Sequence, residues 1–292
     1  MNRREFLAAS AAAPLLAQNP RGSGLFPCVH QVSSNTFDFK TAMEGYAKAG
    51  IRAVEVVLAK AREFADKESP AAARRLLDDL GLKAVSLSNH TGAIESNANR
   101  VKNLDDLKAK CELGQRLGGD RLVHFSSLTT RPTEDDYKRA AENFHEAAAA
   151  CASFGVALML EFSKFATLPN SLATALAMAR AADHPNARVM LDTYHFWIGS
   201  SKFEDLELLR DGELAHVHFE DTPREPVREL LEQRHRVLPG EGVAPLRRIL
   251  DLLKQKKYAG PLSVELFEPS FQSMDPSQLA SKVRGAIEPM LT

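Results

Sequence analysis

The chain has 292 residues, and its composition is typical of an ordinary soluble globular protein. Hydrophobic residues make up 44% and charged residues 26%, which excludes a disordered chain, a collagen-like chain and a membrane bundle. The 37 basic and 38 acidic residues give a formal net charge of −1, so no positive field is available for nucleic acid or anionic lipid. Three cysteines are too few for a disulfide framework or a thiolate metal site, and we expect Cys28, Cys111 and Cys151 to lie singly in the core.

The first residues resemble a twin-arginine export signal. Arg3 and Arg4 precede a short apolar stretch that ends in small residues at Ala17. This stretch is too short to span a bilayer, so no permanent membrane anchor is expected. We therefore divide the chain into a leader at 1–24 and one domain at 25–292, and we expect export to the periplasm. An amphipathic N-terminal helix on a cytoplasmic protein is the alternative.

Eight short apolar runs alternate with segments of helical periodicity along the rest of the chain. The predicted strands are 25–32, 51–58, 82–88, 121–125, 156–162, 188–192, 214–219 and 261–267. The predicted helices are 38–49, 69–80, 98–117, 132–154, 170–183, 202–211, 244–257 and 275–290. Eight such units predict a single (β/α)8 TIM barrel. An open doubly wound sheet is the alternative architecture, but the chain has no glycine-rich dinucleotide turn.

Four of the predicted strands carry metal-binding side chains at their ends, namely Glu161, Asp192, His218 and Glu265. A barrel enzyme uses the C-terminal ends of its strands, so closure of the sheet is expected to bring these four together. Three crowded carboxylates are costly to bury unless a cation compensates their charge. The pattern therefore predicts one divalent cation. An oxygen-rich set with one imidazole favours Mn²⁺, with Mg²⁺, Co²⁺ and Zn²⁺ as alternatives.

Each of these residues also has an ordinary structural interpretation, such as a helix N-cap for an acid or a packed core position for a histidine. His216 shares a strand face with His218, and we favour His218 as the ligand because it is nearer the C-terminal end. His90 and Trp197 are weaker candidates for the pocket wall. A solvent-exposed loop for His90 and core packing for Trp197 are the alternatives.

The segment 221–243 is the longest irregular stretch of the chain, and interruptions of this length are often functional. Its charge run at 228–236 predicts a solvated helix or lid. Asp221 is expected to be a solvated loop acid, and orientation of a neighbouring basic group is the alternative. Glu241, between two glycines, is expected to serve loop architecture.

Five motifs taken together resemble the xylose isomerase-like sugar epimerase and isomerase superfamily. They are Met159-Leu-Glu161, Leu191-Asp-Thr-Tyr-His195, His216-Val-His-Phe-Glu-Asp221, Pro239-Gly-Glu-Gly242 and Tyr258-Ala-Gly-Pro-Leu-Ser-Val-Glu265.

The resemblance runs from Leu25 to the C-terminus and rests on the order and spacing of these motifs. It implies that the four strand-end residues hold the metal, and that Glu161 and Glu265 also transfer protons. It further implies that His195 and Arg224 hold substrate oxygens, as in ketose 3-epimerases. The sequence departs from those epimerases at Thr167, where no second acidic residue is present.

These residue types support proton transfer beside a carbonyl. A hydroxy-ketone held by the cation would lose a carbon-bound proton to one glutamate and regain it from the other, through an enediolate. A sugar isomerase or epimerase acting on a keto-sugar or keto-polyol is therefore predicted. A dehydratase or lyase of a keto-inositol or keto-glycoside is the alternative. The expected partner is a small carbohydrate, and the sequence carries no signal for the oligomeric state.

Two further functions are compatible with the same barrel. His195 and Gln233-Arg-His235 resemble part of the zinc cluster of apurinic endonucleases, although Gln233 occupies a position where a carboxylate ligand is needed. The absence of net positive charge also argues against a DNA substrate. A non-catalytic sugar-binding barrel is the second alternative, and deuterium exchange into a bound keto-sugar would exclude it.

Overall fold

The computed structural model describes residues 24–128 and 130–292, so the predicted export signal lies outside the described residues. Within them, eight parallel strands close into one barrel in sequence order, which confirms the predicted (β/α)8 architecture. The strands are β1 Phe26–His30, β2 Ala53–Val57, β3 Lys83–Thr91, β4 Arg121–Phe125, β5 Ala157–Glu161, β6 Ala187–Asp192, β7 Leu214–His218 and β8 Pro261–Val264.

Helices follow the strands and cover the outside of the barrel. They are α1 Phe39–Lys48, α2 Leu58–Lys67, α3 Pro70–Asp79, α4 Arg100–Leu117, α5 Glu134–Ala152, α6 Leu172–Ala182, α7 Thr193–Ile198, α8 Phe203–Glu207, α9 Leu246–Gln255, α10 Pro269–Gln272 and α11 Pro276–Leu291. In the described part of the chain, none of these helices is both long and apolar enough to cross a bilayer.

The barrel closes where β8 pairs with β1, with Val29 opposite Val264. The register elsewhere sets the neighbours at the C-terminal rim. Phe125 lies opposite Glu161, and Asp192 lies opposite His218. Two of the predicted metal ligands are therefore side by side because of strand pairing alone.

The strands are buried on both faces, as parallel strands inside a ring of helices must be. Outward side chains such as Val54 and Leu160 join the large apolar core beneath the helices. Inside the barrel, Val123, Met159 and Met190 form a small apolar cluster. The interior of the barrel is therefore filled by side chains, and the space for a ligand lies at its C-terminal mouth.

Several predicted boundaries are wrong, for local reasons. The strand predicted to end at residue 58 ends at Val57, because Leu58 begins α2, a helix rich in Ala and Lys that the sequence analysis did not predict. Helix α7 was also missed; it begins directly after Asp192, whose side chain caps it. The helix predicted at 202–211 ends at Glu207.

The cysteines also differ from the expectation that each lies singly. All three are buried free thiols, but Cys111 on α4 and Cys151 on α5 have sulfurs 3.3 Å apart. Cys28 lies inside the barrel with Ala53 and Val85. Facing residues on two packed helices leave no trace in the local sequence, and for that reason the pair was missed.

Candidate active site

The structure brings the four predicted strand-end residues to one point at the mouth of the barrel. Glu161, Asp192 and His218 are the last residues of β5, β6 and β7, and Glu265 follows β8. Each offers one ligand atom that lies within 4.8 Å of the others. His218 Nδ1 is 3.7 Å from Glu161 Oε1, 3.7 Å from Asp192 Oδ2 and 3.6 Å from Glu265 Oε2. We call these four residues the strand-end tetrad.

His218 presents an unpartnered nitrogen to the three carboxylates of the tetrad. Its Nε2 lies 3.1 Å from Glu55 Oε2, whereas the buried Nδ1 has no hydrogen-bond partner. Burial disfavours the charged imidazole, but the carboxylates around it, Glu55 first, raise the pKa of His218 well above its ordinary value. The same density of negative charge favours a divalent cation at this point, so the donor set fits a metal site.

Crowding also shifts Glu265. Its pKa is raised to about 7, chiefly by burial and also by the charges of Glu161 and Asp192, against the lowering effect of His218 and Arg236. A raised carboxyl pKa indicates that the nearby positive charges do not fully balance the negative ones, so a bound cation would be favourable here.

Arg236 is the residue of this site that the sequence analysis missed. The run 228–236 was predicted to be solvated, and Arg228 and Arg234 are exposed, but Arg236 is only 1% exposed. Its Nη1 donates to Asp192 Oδ2 over 2.6 Å and also contacts Glu220. Arg236 therefore compensates two buried acids, Asp192 of the tetrad and the neighbouring Glu220. The excess of acids at the strand ends indicates that a buried cation is needed. It does not indicate which distant arginine balances their charge.

Asp221 explains how Arg236 reaches the site. Asp221 was expected to be solvated, yet it is buried and its carboxylate accepts four backbone N–H groups, those of Thr222, Gly240, Gly242 and Ala244, at 2.8–3.1 Å. Its backbone also pairs with Val237 in an antiparallel bridge. This arrangement folds the segment 221–243 back over the barrel mouth. Arg236, which directly precedes Val237, is thereby turned inward.

His195 lies on α7, next to Asp192. The backbone N–H of His195 donates to Asp192 Oδ1 over 2.6 Å, which fixes the start of the helix. The imidazole Nε2 lies 3.1 Å from Arg236 Nη2 and 3.1 Å from Ser163 Oγ. Burial, with a contribution from Arg236, lowers the pKa of His195 to about 3 despite Asp192. Since arginine only donates, the neutral ring accepts at Nε2 and carries its proton on Nδ1.

A cavity of about 430 Å³ opens over the tetrad. Its polar lining consists of Glu161, Glu265, His218, His195, Arg236, Gln233, Asn89, Ser88, Ser126, Ser127 and Ser163. Its apolar lining consists of Val123, Phe125, Leu128, Phe165, Ala166 and Phe267. Among the described residues, Arg236 is the single arginine or lysine that lines it. The volume is within the range of small-molecule sites.

His90 is not part of this cavity. It is buried, with Nδ1 3.1 Å from His124 Nδ1 and Nε2 2.9 Å from the carbonyl of Asn103. Both ring nitrogens are therefore engaged within the protein, so the ring is neither a pocket residue nor exposed in a loop.

The structure also places three other predicted or discussed residues away from the cavity lining. Arg224 is exposed. Trp197 packs beside the apolar cluster around Tyr194. Thr167 donates its hydroxyl to the carbonyl of Leu128 over 2.7 Å and does not line the cavity.

Comparisons with family models and with known proteins point to the same family. A family model described as xylose isomerase-like TIM barrel matches residues 44–290. The inosose isomerase of Halalkalibacterium halodurans is 34% identical over 122 residues, which are 41% of this chain and 43% of that protein. The 3-dehydroshikimate dehydratase of Pseudomonas putida is 27% identical over 245 residues, covering 82% of this chain and 38% of that protein. The matched region thus spans less than half the length of either relative.

A solved structure of the IolI protein with a binding zinc atom has the same fold. It superposes with a TM-score of 0.83 at 20% identity, covering 91% of this chain and 97% of that one. The apurinic-endonuclease alternative has less structural support. Within residues 24–128 and 130–292, neither His195 nor His235 belongs to any group of side chains that could hold a metal.

Proposed function

Since the chain belongs to the xylose isomerase-like TIM barrel family, we propose that it is a metal-dependent isomerase or epimerase that moves a proton beside the carbonyl of a neutral keto-sugar or keto-polyol. The observation that carries the proposal is the strand-end tetrad at the base of a cavity large enough for a monosaccharide. One relative, the inosose isomerase of Halalkalibacterium halodurans, is an isomerase.

The tetrad would hold the cation through the orphaned His218 Nδ1 and one oxygen from each carboxylate. Mn²⁺ suits this oxygen-rich set, and the zinc in the IolI structure supports Zn²⁺ as an alternative. When bound, such a cation polarises a substrate carbonyl and stabilises the negative charge that develops as the adjacent carbon loses its proton.

Glu161 and Glu265 would carry the proton. Both line the cavity and approach it from different strands, β5 and the end of β8, so they can face a bound ring from two directions. One carboxylate removes the carbon-bound proton and the other returns a proton. Return to the opposite face of the same carbon gives an epimer, and return to the neighbouring carbon gives an isomer.

His195 would donate to an oxygen of the substrate, and Arg236 would place positive charge beside it. Arg236 lines the cavity whereas Arg224 is exposed, but the N–H groups of Arg236 are directed at Asp192, Glu220, Gln233 and His195, so its contribution would be its charge. His195 lines the same wall and carries a proton on Nδ1, so its neutral ring can donate to an oxygen. Donors fixed before the substrate arrives stabilise an oxyanion without reorganising.

The charges around the cavity favour a substrate without a phosphate or carboxylate group. The guanidinium of Arg236 is already compensated by Asp192 and Glu220. Apolar walls formed by Phe125, Phe165 and Phe267 suit the C–H face of a sugar or cyclitol ring. The resemblance of the first residues to a twin-arginine signal supports the proposal that the protein acts on this substrate in the periplasm.

Elimination of water by a dehydratase is the second candidate, favoured by the relative that matches 82% of this chain. Loss of a β-hydroxyl would follow removal of the same proton, so the tetrad supports this reaction equally well. The shortage of free positive charge argues for a keto-inositol or keto-glycoside as its substrate, and against a carboxylate such as dehydroshikimate.

The test is a panel of keto-sugars, keto-inositols and dehydroshikimate, incubated in D₂O with Mn²⁺-loaded protein and followed by NMR. We expect deuterium at the carbon beside the carbonyl of a neutral substrate, with an epimer or isomer as product. Loss of a hydroxyl would select the dehydratase instead. Binding of a panel member without exchange would overturn both reactions and leave a sugar-binding barrel.

The variants Glu161→Gln and Glu265→Gln identify the proton carriers. Each is expected to lower exchange at least 100-fold, since general acid–base catalysis contributes about 10²–10⁴-fold. Glu229→Gln changes an exposed acid of the loop over the barrel and should keep wild-type exchange. Full exchange in both site variants would exclude this pair as the proton carriers.

A further inference from the structure

Glu55 is a fully buried carboxylate that neither the predicted site nor the proposed proton transfer uses. It lies in the middle of β2, with its side chain inside the barrel and beneath the tetrad. Its Oε2 accepts hydrogen bonds from His216 Nε2 at 2.7 Å, His218 Nε2 at 3.1 Å and Ser263 Oγ at 2.8 Å. Three polar side chains therefore converge on one oxygen of a carboxylate in the barrel interior.

Such a group is costly as a purely structural element. Desolvation of a buried charge often exceeds the gain from pairing, and apolar residues can commonly replace it without loss of stability. Apolar side chains fill the barrel interior elsewhere in this protein, as Val123, Met159 and Met190 do. The presence of a carboxylate at this position therefore calls for a chemical reason.

We propose that Glu55 is a positioning residue that holds His218 in the ring orientation and tautomer needed to bind the cation. A carboxylate only accepts hydrogen bonds, so His218 must carry a proton on Nε2. That proton commits the lone pair of the neutral ring to Nδ1, the atom that faces the three carboxylates. A carboxylate that accepts the N–H of a ligating imidazole orients the ring and makes the ligating nitrogen more basic. The inference rests on the proposed metal dependence.

His30 lies close to both Glu55 and Glu265, a second predicted metal ligand. The Nδ1 of His30 accepts the backbone N–H of Val32 over 3.0 Å, so the proton of the neutral ring is on Nε2. That Nε2 is 3.5 Å from Glu55 Oε1 and 3.4 Å from Glu265 Oε1. His30 thus lies between Glu55 and Glu265, a member of the tetrad.

The decisive variant is Glu55→Gln, studied by titration of the chelator-treated protein with Co²⁺. We expect Co²⁺ to bind about 10–100-fold more weakly than to the wild-type protein, the range typical when a ligating histidine loses the carboxylate that orients it. The visible absorption of the bound Co²⁺ should also change, because the imidazole is no longer held in one orientation. Glu55→Asp retains a carboxylate and should recover part of the affinity.

Glu95→Gln is the matched control. Glu95 is also buried and accepts a hydrogen bond from Ser126 Oγ over 2.7 Å, but among the described residues it belongs to no group of side chains that could hold a metal. We expect its Co²⁺ affinity and spectrum to equal those of the wild type. An equal reduction in both variants would show a general cost of altering buried carboxylates and would overturn the proposal.

The outcomes separate this inference from the proposed function. If the wild-type protein does not bind Co²⁺, the metal site itself fails, and the proposed function fails with it. If the wild type binds and Glu55→Gln binds equally well with an unchanged spectrum, only the positioning role fails. Should Glu55→Gln not fold, ¹⁵N NMR of the Zn²⁺-loaded wild type decides. A protonated Nε2 on His218 supports the inference, and a protonated Nδ1 overturns it.

Discussion

Arg236 donates from Nη1 to Oδ2 of Asp192 across 2.6 Å, although 44 residues separate the two along the chain. The same nitrogen lies 3.5 Å from Glu265 Oε2, and Arg236 also contacts Glu220. One buried guanidinium therefore compensates three buried carboxylates, two of which belong to the strand-end tetrad. Burial alone would lower the pKa of Arg236, but these three acids raise it above its ordinary value, so it stays charged.

Replacing Arg236 by Met is expected to lower the free energy of unfolding by about 3–5 kcal/mol, because it leaves buried carboxylates without their counter-charge. Urea denaturation of the metal-free protein measures this loss. The control is Arg234→Met, which removes an exposed arginine two residues away and should change stability by less than about 0.5 kcal/mol. Equal stability of the two variants would contradict the compensating role.

Asp221→Ala tests the folding of the segment that delivers Arg236. Removing this carboxylate leaves four backbone N–H groups without their acceptor, and even one orphaned donor costs about 1–3 kcal/mol. We expect a lower melting temperature and, because Arg236 is no longer held inward, a loss of turnover. Glu241→Ala changes an exposed acid of the same loop and should affect neither quantity. Wild-type turnover in Asp221→Ala would separate the loop from the site.

The residues that the sequence predicts well are those whose position follows from a local rule. Glu161, Asp192 and His218 end their strands, and the C-terminal ends of barrel strands meet at one rim. The strands themselves were recognisable because they are apolar on both faces. The convergence of the tetrad therefore needed only the strand order and closure of the sheet.

Glu55 and Arg236 were missed because their roles depend on contacts between distant parts of the chain. Glu55 is a single polar residue within Ala-Val-Glu-Val-Val, and it faces its partners only after β2, β7 and β8 have closed. Arg236 belongs to a charge run whose other arginines are exposed. Sequence periodicity reports burial of whole elements, whereas these two residues are buried by particular partners.

Gly242 is expected to be intolerant of any side chain. A Cβ there would lie 2.2 Å from the carbonyl oxygen of Thr222 and 2.5 Å from Asp221 Oδ1. Gly242→Ala should therefore destabilise the protein by about 1–3 kcal/mol, the usual cost of overpacking. At Gly285, within α11, a Cβ meets nothing within 4 Å, so Gly285→Ala should stabilise by about 0.5–1 kcal/mol. Thermal denaturation of both variants checks the opposite signs.

His90 provides a prediction for the dependence of stability on pH. Burial, with help from Lys110 and against Asp106, lowers the pKa of His90 from 6.5 to about 4. Between these values the unfolded chain binds a proton that the folded protein does not, so stability falls as the pH falls from 6.5 towards 4. With 1.36 kcal/mol per pKa unit, the His90 contribution to this loss is about 3 kcal/mol.

The variant His90→Gln retains a donor for the carbonyl of Asn103 but cannot take up a proton. We expect it to lose less stability than the wild type between pH 6.5 and 4, whatever its stability at neutral pH. Urea denaturation at a series of pH values measures this difference, with a chelator present in every sample so that metal binding does not contribute. Parallel pH curves for the two proteins would show that His90 is protonated equally in the folded and unfolded states.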